Sequence, residues 1–164
     1  MTPTSQSMDI KRILTDYEAA KQQKADGRKQ KMESECLRRQ LNAEKVEVCL
    51  SETVAPVLDS VRDDLLKGGY RCDVERVSKK DSEFPKSERM FALCIRLKTD
   101  RDSASPHLNS ALKFSADFGS LRVNIIAKVQ GKEEKIRGPF TMSDLTSEFV
   151  EQKAEEFLKE VFTA

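Results

Sequence analysis

Side chains able to do chemistry are few in this chain, and their spacing gives them little to work with. Cys36, Cys49, Cys72 and Cys94 stand 13, 23 and 22 residues apart. A zinc knuckle needs two thiolates roughly two to four residues apart, so that one turn offers both to the same ion. No such pair exists, and the single histidine, His107, sits in the polar stretch "SASPHLN". A nucleophile needs a base held beside it, so a lone histidine in a polar loop reads as a solvated side chain. Neither G-x-S-x-G, nor a glycine-rich phosphate loop, nor H-E-x-x-H occurs in the sequence. Glutamates are plentiful near the C-terminus, but they fall on the polar face of an amphipathic helix, where solvation is their ordinary role. Cys94 faces away from the main apolar row of its strand and is read as a small buried hydrophobe. The expectation is a non-enzymatic protein with no cofactor, no structural metal and no native disulfide.

Charge is the next source of function. Lys plus Arg number 29 and Asp plus Glu 28, so net charge selects no class of partner. The distribution is uneven, however. Residues 21 to 40 hold seven basic and three acidic side chains, whereas residues 144 to 164 hold six acidic and two basic ones. The basic stretch "KADGRKQK" supplies candidate phosphate contacts at Lys24, Arg28, Lys29 and Lys31. A nucleic-acid-associated protein is therefore the second reading, not the favoured one. A sheet that reads single-stranded RNA stacks bases on exposed aromatics, and strand alternation assigns Tyr70, Phe91, Phe114 and Phe118 to the apolar face. The opening "MTPTSQSMDIKR" has no apolar core of secretory type, and no stretch approaches the length of a membrane span. A cytoplasmic protein with reduced thiols and no membrane partner is expected.

These residues must be positioned by elements that the apolar spacing outlines. In "KFSADFGSLRVNIIAKV" two alternating runs fold about Gly119-Ser120. A two-residue loop there, with glycine taking the positive φ, pairs Phe118 with Leu121, Ala116 with Val123, Phe114 with Ile125 and Leu112 with Ala127. The other face pairs Asp117 with Arg122 and Ser115 with Asn124. A slip of one residue would send these polar groups into the core, so the pattern fixes the register. "YRCDV" and "RMFALCIRLK" alternate as two earlier strands, the latter with Phe91, Leu93, Ile95 and Leu97 on one face and Met90, Ala92 and Cys94 on the other. "EKIRGPFTM" adds a short edge strand if Gly138-Pro139 does not cut it. The last segment, "DLTSEFVEQKAEEFLKEVF", is an amphipathic helix whose apolar face holds Phe149, Val150, Ala154, Phe157, Val161 and neighbours.

Helical spacing also runs through Val46, Leu50, Val54, Val57, Val61 and Leu65. "KVEVCL" fits a helix or a short strand. Pro56 predicts a fresh helix from Val54 to Lys67, with Thr53 as N-cap and Gly68-Gly69 as its end. Before it, "EAAKQQKADGRKQK" is polar all round, an exposed helix or a joint broken at Asp26-Gly27.

The whole reads as an α+β protein: an antiparallel sheet of four strands, or five with the edge strand, packed by an N-terminal helical region and the C-terminal helix. Residues 1–31 form an arm and 32–164 one domain. The favoured function is a protein-interaction or adaptor module, self-associating as a homodimer through helices between Met32 and Lys67. In the arm, Ile10, Ile13, Leu14 and Tyr17 make an apolar stripe without a local partner, and they are the candidate partner-binding residues. The third reading is a binder of a small apolar ligand, which requires a closed cavity.

Overall fold

A computed structural model gives the fold, and it describes residues 3–80, 88–99 and 108–163 (side chains from residue 9). Helix α1 runs Pro3–Cys49, a π-helical turn covers Leu50–Val54, and α2 covers Ala55–Lys67. Five strands follow, β1 Arg71–Lys80, β2 Glu88–Lys98, β3 Ser110–Asp117, β4 Arg122–Lys128 and β5 Lys135–Thr141. A 3-10 turn at Met142–Asp144 leads to α3, Ser147–Thr163. The chain divides into two compact units, Met1–Arg38 and Arg39–Ala164. The first is helix throughout its described length, and the second holds everything else.

In the second unit the sheet is an antiparallel meander in the order β1-β2-β3-β4-β5. This is the expected α+β class, with the fifth strand present. The hairpin register is the expected one from Leu112↔Ala127 to Asp117↔Arg122. Its loop differs. Leu121, not Gly119, takes positive φ (56°), and its N–H donates to the Asp117 carbonyl at 2.9 Å, which closes a four-residue loop. The Asp117 carboxylate stabilises that loop by accepting from the Ser120 hydroxyl at 2.8 Å and from the Gly119 and Ser120 N–H groups. A carboxylate holding a turn in this way is an Asx arrangement, and it draws Asp117 away from an ion pair with Arg122.

One cluster forms the core. Leu93, Ile95 and Leu97 of β2, Leu112, Phe114 and Ala116 of β3, and Val123 and Ile125 of β4 meet Ala43, Val46, Leu50, Leu58, Val150, Ala154, Phe157 and Val161 from the helices. The end of α1 thus joins α2 and α3 in covering the sheet's buried face. Thr146 starts α3 as an N-cap, its hydroxyl accepting the Phe149 N–H at 3.2 Å. At the end of α2, Tyr70 N–H reaches the Leu65 carbonyl and Gly69 N–H the Leu66 carbonyl, with Gly69 at φ 84°. That is the double bond of a Schellman end, and glycine is what admits it.

Two expectations need correction here. No fresh helix starts at Thr53: Cys49, Val54 and Ala55 all keep right-handed helical dihedrals, Val54 precedes α2 with no side-chain cap, and Ala55 N–H bonds the Leu50 carbonyl. Proline lacks an N–H and crowds the carbonyl four residues earlier. A wider π turn just before Pro56 accommodates this, so the chain passes the proline without leaving the helix. "KVEVCL" is accordingly helical, and α1 also continues through Asp26-Gly27. The second correction lies in β2. The β1–β2 register shifts between Val77 and Ser78, so that Val77 pairs with Ala92 and Ser78 with Met90. Phe91 is the extra residue of this bulge. Met90 becomes part of the core, whereas Phe91 is only half-buried.

Candidate functional site

Two polar anchors fix the C-terminal end of α1 to the sheet. Asn42 is buried, and its amide donates to the Phe118 carbonyl at the hairpin loop at 2.8 Å. Glu47 accepts the Met90 N–H at 3.0 Å through one oxygen and pairs with the Arg89 guanidinium at 3.1 Å through the other. Those bonds sit beside the bulge, where Met90 pairs with Ser78 of β1 while the pairing of β2 with β3 stops at Ala92. The Arg89 Nε has no hydrogen-bond partner among the described residues, so Glu47 is what compensates the charge of that side chain there.

Anchoring one face of a helix leaves the other free. Ala43 and Val46 are fully buried, whereas Leu41 and Val48 keep 49% and 52% of their surface exposed. At about 100° per residue, Leu41 and Val48 point the same way, roughly opposite Ala43 and Val46. Beside them an open groove of about 450 Å³ runs along Leu41, Val48, Cys49, the π-turn residues Glu52 and Thr53, and Met142 and Leu145. Glu44 and Lys45 line it too. The groove is apolar along its floor, charged along its rim, and built on the one irregular turn of the helix. π turns recur at functional sites, because their widened backbone re-aims side chains.

The open face of the sheet is the competing surface. Register places Glu75, Cys94, Lys113, Ile126 and Ile136 in one row across the strands, and Asp73, Arg96, Ala111 and Lys128 in the next. Two cations of these rows are engaged. Arg96 pairs with Glu75 at 2.8 Å, and the Lys113 ammonium lies 5.8 Å from the centre of the Phe91 ring. The Lys79 ammonium is 4.9 Å from the same ring. Phe91 therefore does not share the fully buried setting of Phe114 and Phe118 that alternation assigns to it. A bulge leaves no mark in a sequence where Met90 and Phe91 are both apolar.

The candidate residues of the arm all lie on α1. Ile10, Ile13, Leu14 and Tyr17 are each more than half exposed. Lys24, Arg28 and Lys31 follow at helical spacing on one side, with Lys29 about 100° away. All four are exposed. Leu41 and Val48 do not stand out as a surface in the sequence, because Val48 alternates with Val46 and Leu50, which hides its separate helical direction.

Burial raises the thiols of Cys49 and Cys94, and burial with the Asp73 carboxylate raises Cys72 to about 11. No disulfide joins the described cysteines, and among the described residues no three metal-ligating side chains converge. His107 lies outside the described residues. A hollow between the sheet and α3, beside Leu112, Ile125 and Phe157, measures about 50 Å³, too small for an organic ligand of ordinary size. No helix among the described residues is long and apolar enough to cross a membrane. Compared with known proteins, the chain matches no family model, no curated protein and no solved structure.

Proposed function

We propose that this protein is a non-enzymatic interaction module that self-associates through its helical region and engages a protein partner through its N-terminal arm. The observation that carries the reading is the two-sided apolar character of α1, with Ala43 and Val46 in the core and Leu41 and Val48 exposed on the opposite side. A helix that is apolar on its far side exposes surface that association would remove from water. The adjoining groove at Met142 and Leu145 supports the same reading, since it extends the apolar floor beyond a single helix. For the arm, support comes from the exposed stripe Ile10, Ile13, Leu14 and Tyr17, spaced as the anchors of a helix that docks into a groove.

Light scattering at micromolar concentration tests self-association. A mass of twice 18.6 kDa is expected, and a clean monomer removes the dimer from this account.

A further inference from the structure

The groove along α1 has a second feature, in the signs of the charges beside Leu41 and Val48. Those two residues are seven apart, and seven residues bring an α-helix back to nearly the same direction. Glu44 then lies about 40–60° to one side of their line, and Lys45 about the same to the other. Both are exposed. The apolar line thus has an acidic flank and a basic flank at the same height.

We propose that the occupant of this face is a second copy of the chain, packed parallel to the first along α1, with Leu41 on Leu41, Val48 on Val48, and Glu44 of each copy beside Lys45 of the other. The proposal rests on the self-association reading and adds the partner's orientation to it. Orientation follows from symmetry. A two-fold axis running along the helices brings opposite flanks together, so the Glu44–Lys45 pair forms twice. A two-fold axis across the helices brings equal flanks together, setting Glu44 against Glu44 and Lys45 against Lys45. Like charges at close range repel by about as much as unlike charges attract. The Glu44 and Lys45 flanks therefore favour parallel pairing and oppose antiparallel pairing, while the apolar residues fit either and Glu52, a turn beyond Val48 on the same line, sets one like-charge contact against the parallel arrangement. The groove floor at Met142 lies beside this line, where it can receive side chains of the incoming helix.

Charge exchange tests the arrangement on the full chain. Glu44→Lys, Lys45→Glu and the double variant are compared with the parent by sedimentation equilibrium, with circular dichroism to confirm folding. Both side chains are exposed, so the fold is expected to survive. Each single exchange turns two attractive pairs into two repulsive ones and is expected to weaken the dimer roughly tenfold. The double exchange restores both pairs and is expected to return the affinity to within about threefold of the parent. A dimer that both single variants leave unchanged overturns the parallel arrangement while leaving self-association standing. A double variant as weak as the singles overturns the Glu44–Lys45 contact. A dimer that survives Leu41→Glu overturns pairing through this face, and a monomeric parent overturns orientation and self-association together.

Discussion

Burial and the adjacent Asp73 carboxylate hold the Cys72 thiol at about 11, against an ordinary 9.0. That shift has a definite consequence for stability. Between these values the unfolded chain releases a proton that the folded chain keeps, so rising pH favours the unfolded state. Stability from this group is complete below about 9, falls as pH rises through the window, and is gone above about 11. Urea unfolding from pH 8 to 11 is expected to show the decline, and Cys72→Ala is expected to make it shallower. An equal slope in both proteins would assign the decline to other groups. Spacing alone predicts neither a metal knuckle nor a disulfide. It speaks to metal and disulfide geometry, but only packing moves a thiol out of its reactive range. Asp117 shows a similar limit. Its place opposite Arg122 is legible, because polarity on both faces admits only one register. Its hydrogen bonds are not, because a two-residue and a four-residue loop give that same register and differ only in which residue takes positive φ.

At the level of elements, periodicity is a good guide wherever one face is buried and the other is not. The hairpin, the first part of β1 in "YRCDV", α3 and the end of α2 all follow from it, whereas the extension of β1 to Lys80 falls in a stretch that reads as a polar connection. It fails where two physical solutions share one pattern. Pro56 in the sequence fits the start of a new helix, yet a π turn lets the old one continue. A bulge at Phe91 exchanges the roles of two neighbouring apolar residues. Glu47 connects these irregular elements, reaching from α1 to Met90 and Arg89. Glu47→Ala is expected to destabilise the protein by about 2 kcal/mol, because it leaves a half-buried N–H and a guanidinium without their acceptor. Glu47→Gln keeps an acceptor for Met90 and is expected to lose about half as much. Chemical denaturation of the three proteins checks the order, and an alanine variant as stable as the parent would show that the clamp is ornamental to folding.

Across the whole molecule, charge and apolar surface are divided between regions in a way that bears on function. Every residue of the core cluster lies between Ala43 and Val161. Ile10, Ile13, Leu14 and Tyr17 contribute nothing to that cluster and remain exposed. Their amino-acid types are plain from the sequence, and so is their helical spacing. What a sequence cannot supply is the complementary surface, since a stripe of four apolar side chains fits a groove on another protein as well as a frayed terminus. Deleting residues 1–30 separates these alternatives. The deletion variant is expected to unfold within about 0.5 kcal/mol of the full chain, because the described side chains it removes, from residue 9 to 30, are all exposed. It is also expected to lose capture of any protein partner that the full chain retains from its native host, while keeping the dimer if α1 pairs through Leu41 and Val48. Substitutions at Arg122 and Asn124, on the open face of the sheet, are expected to leave capture unchanged. Normal capture by the deletion variant, together with loss on substituting Arg122 and Asn124, would move the working surface from the arm to the sheet.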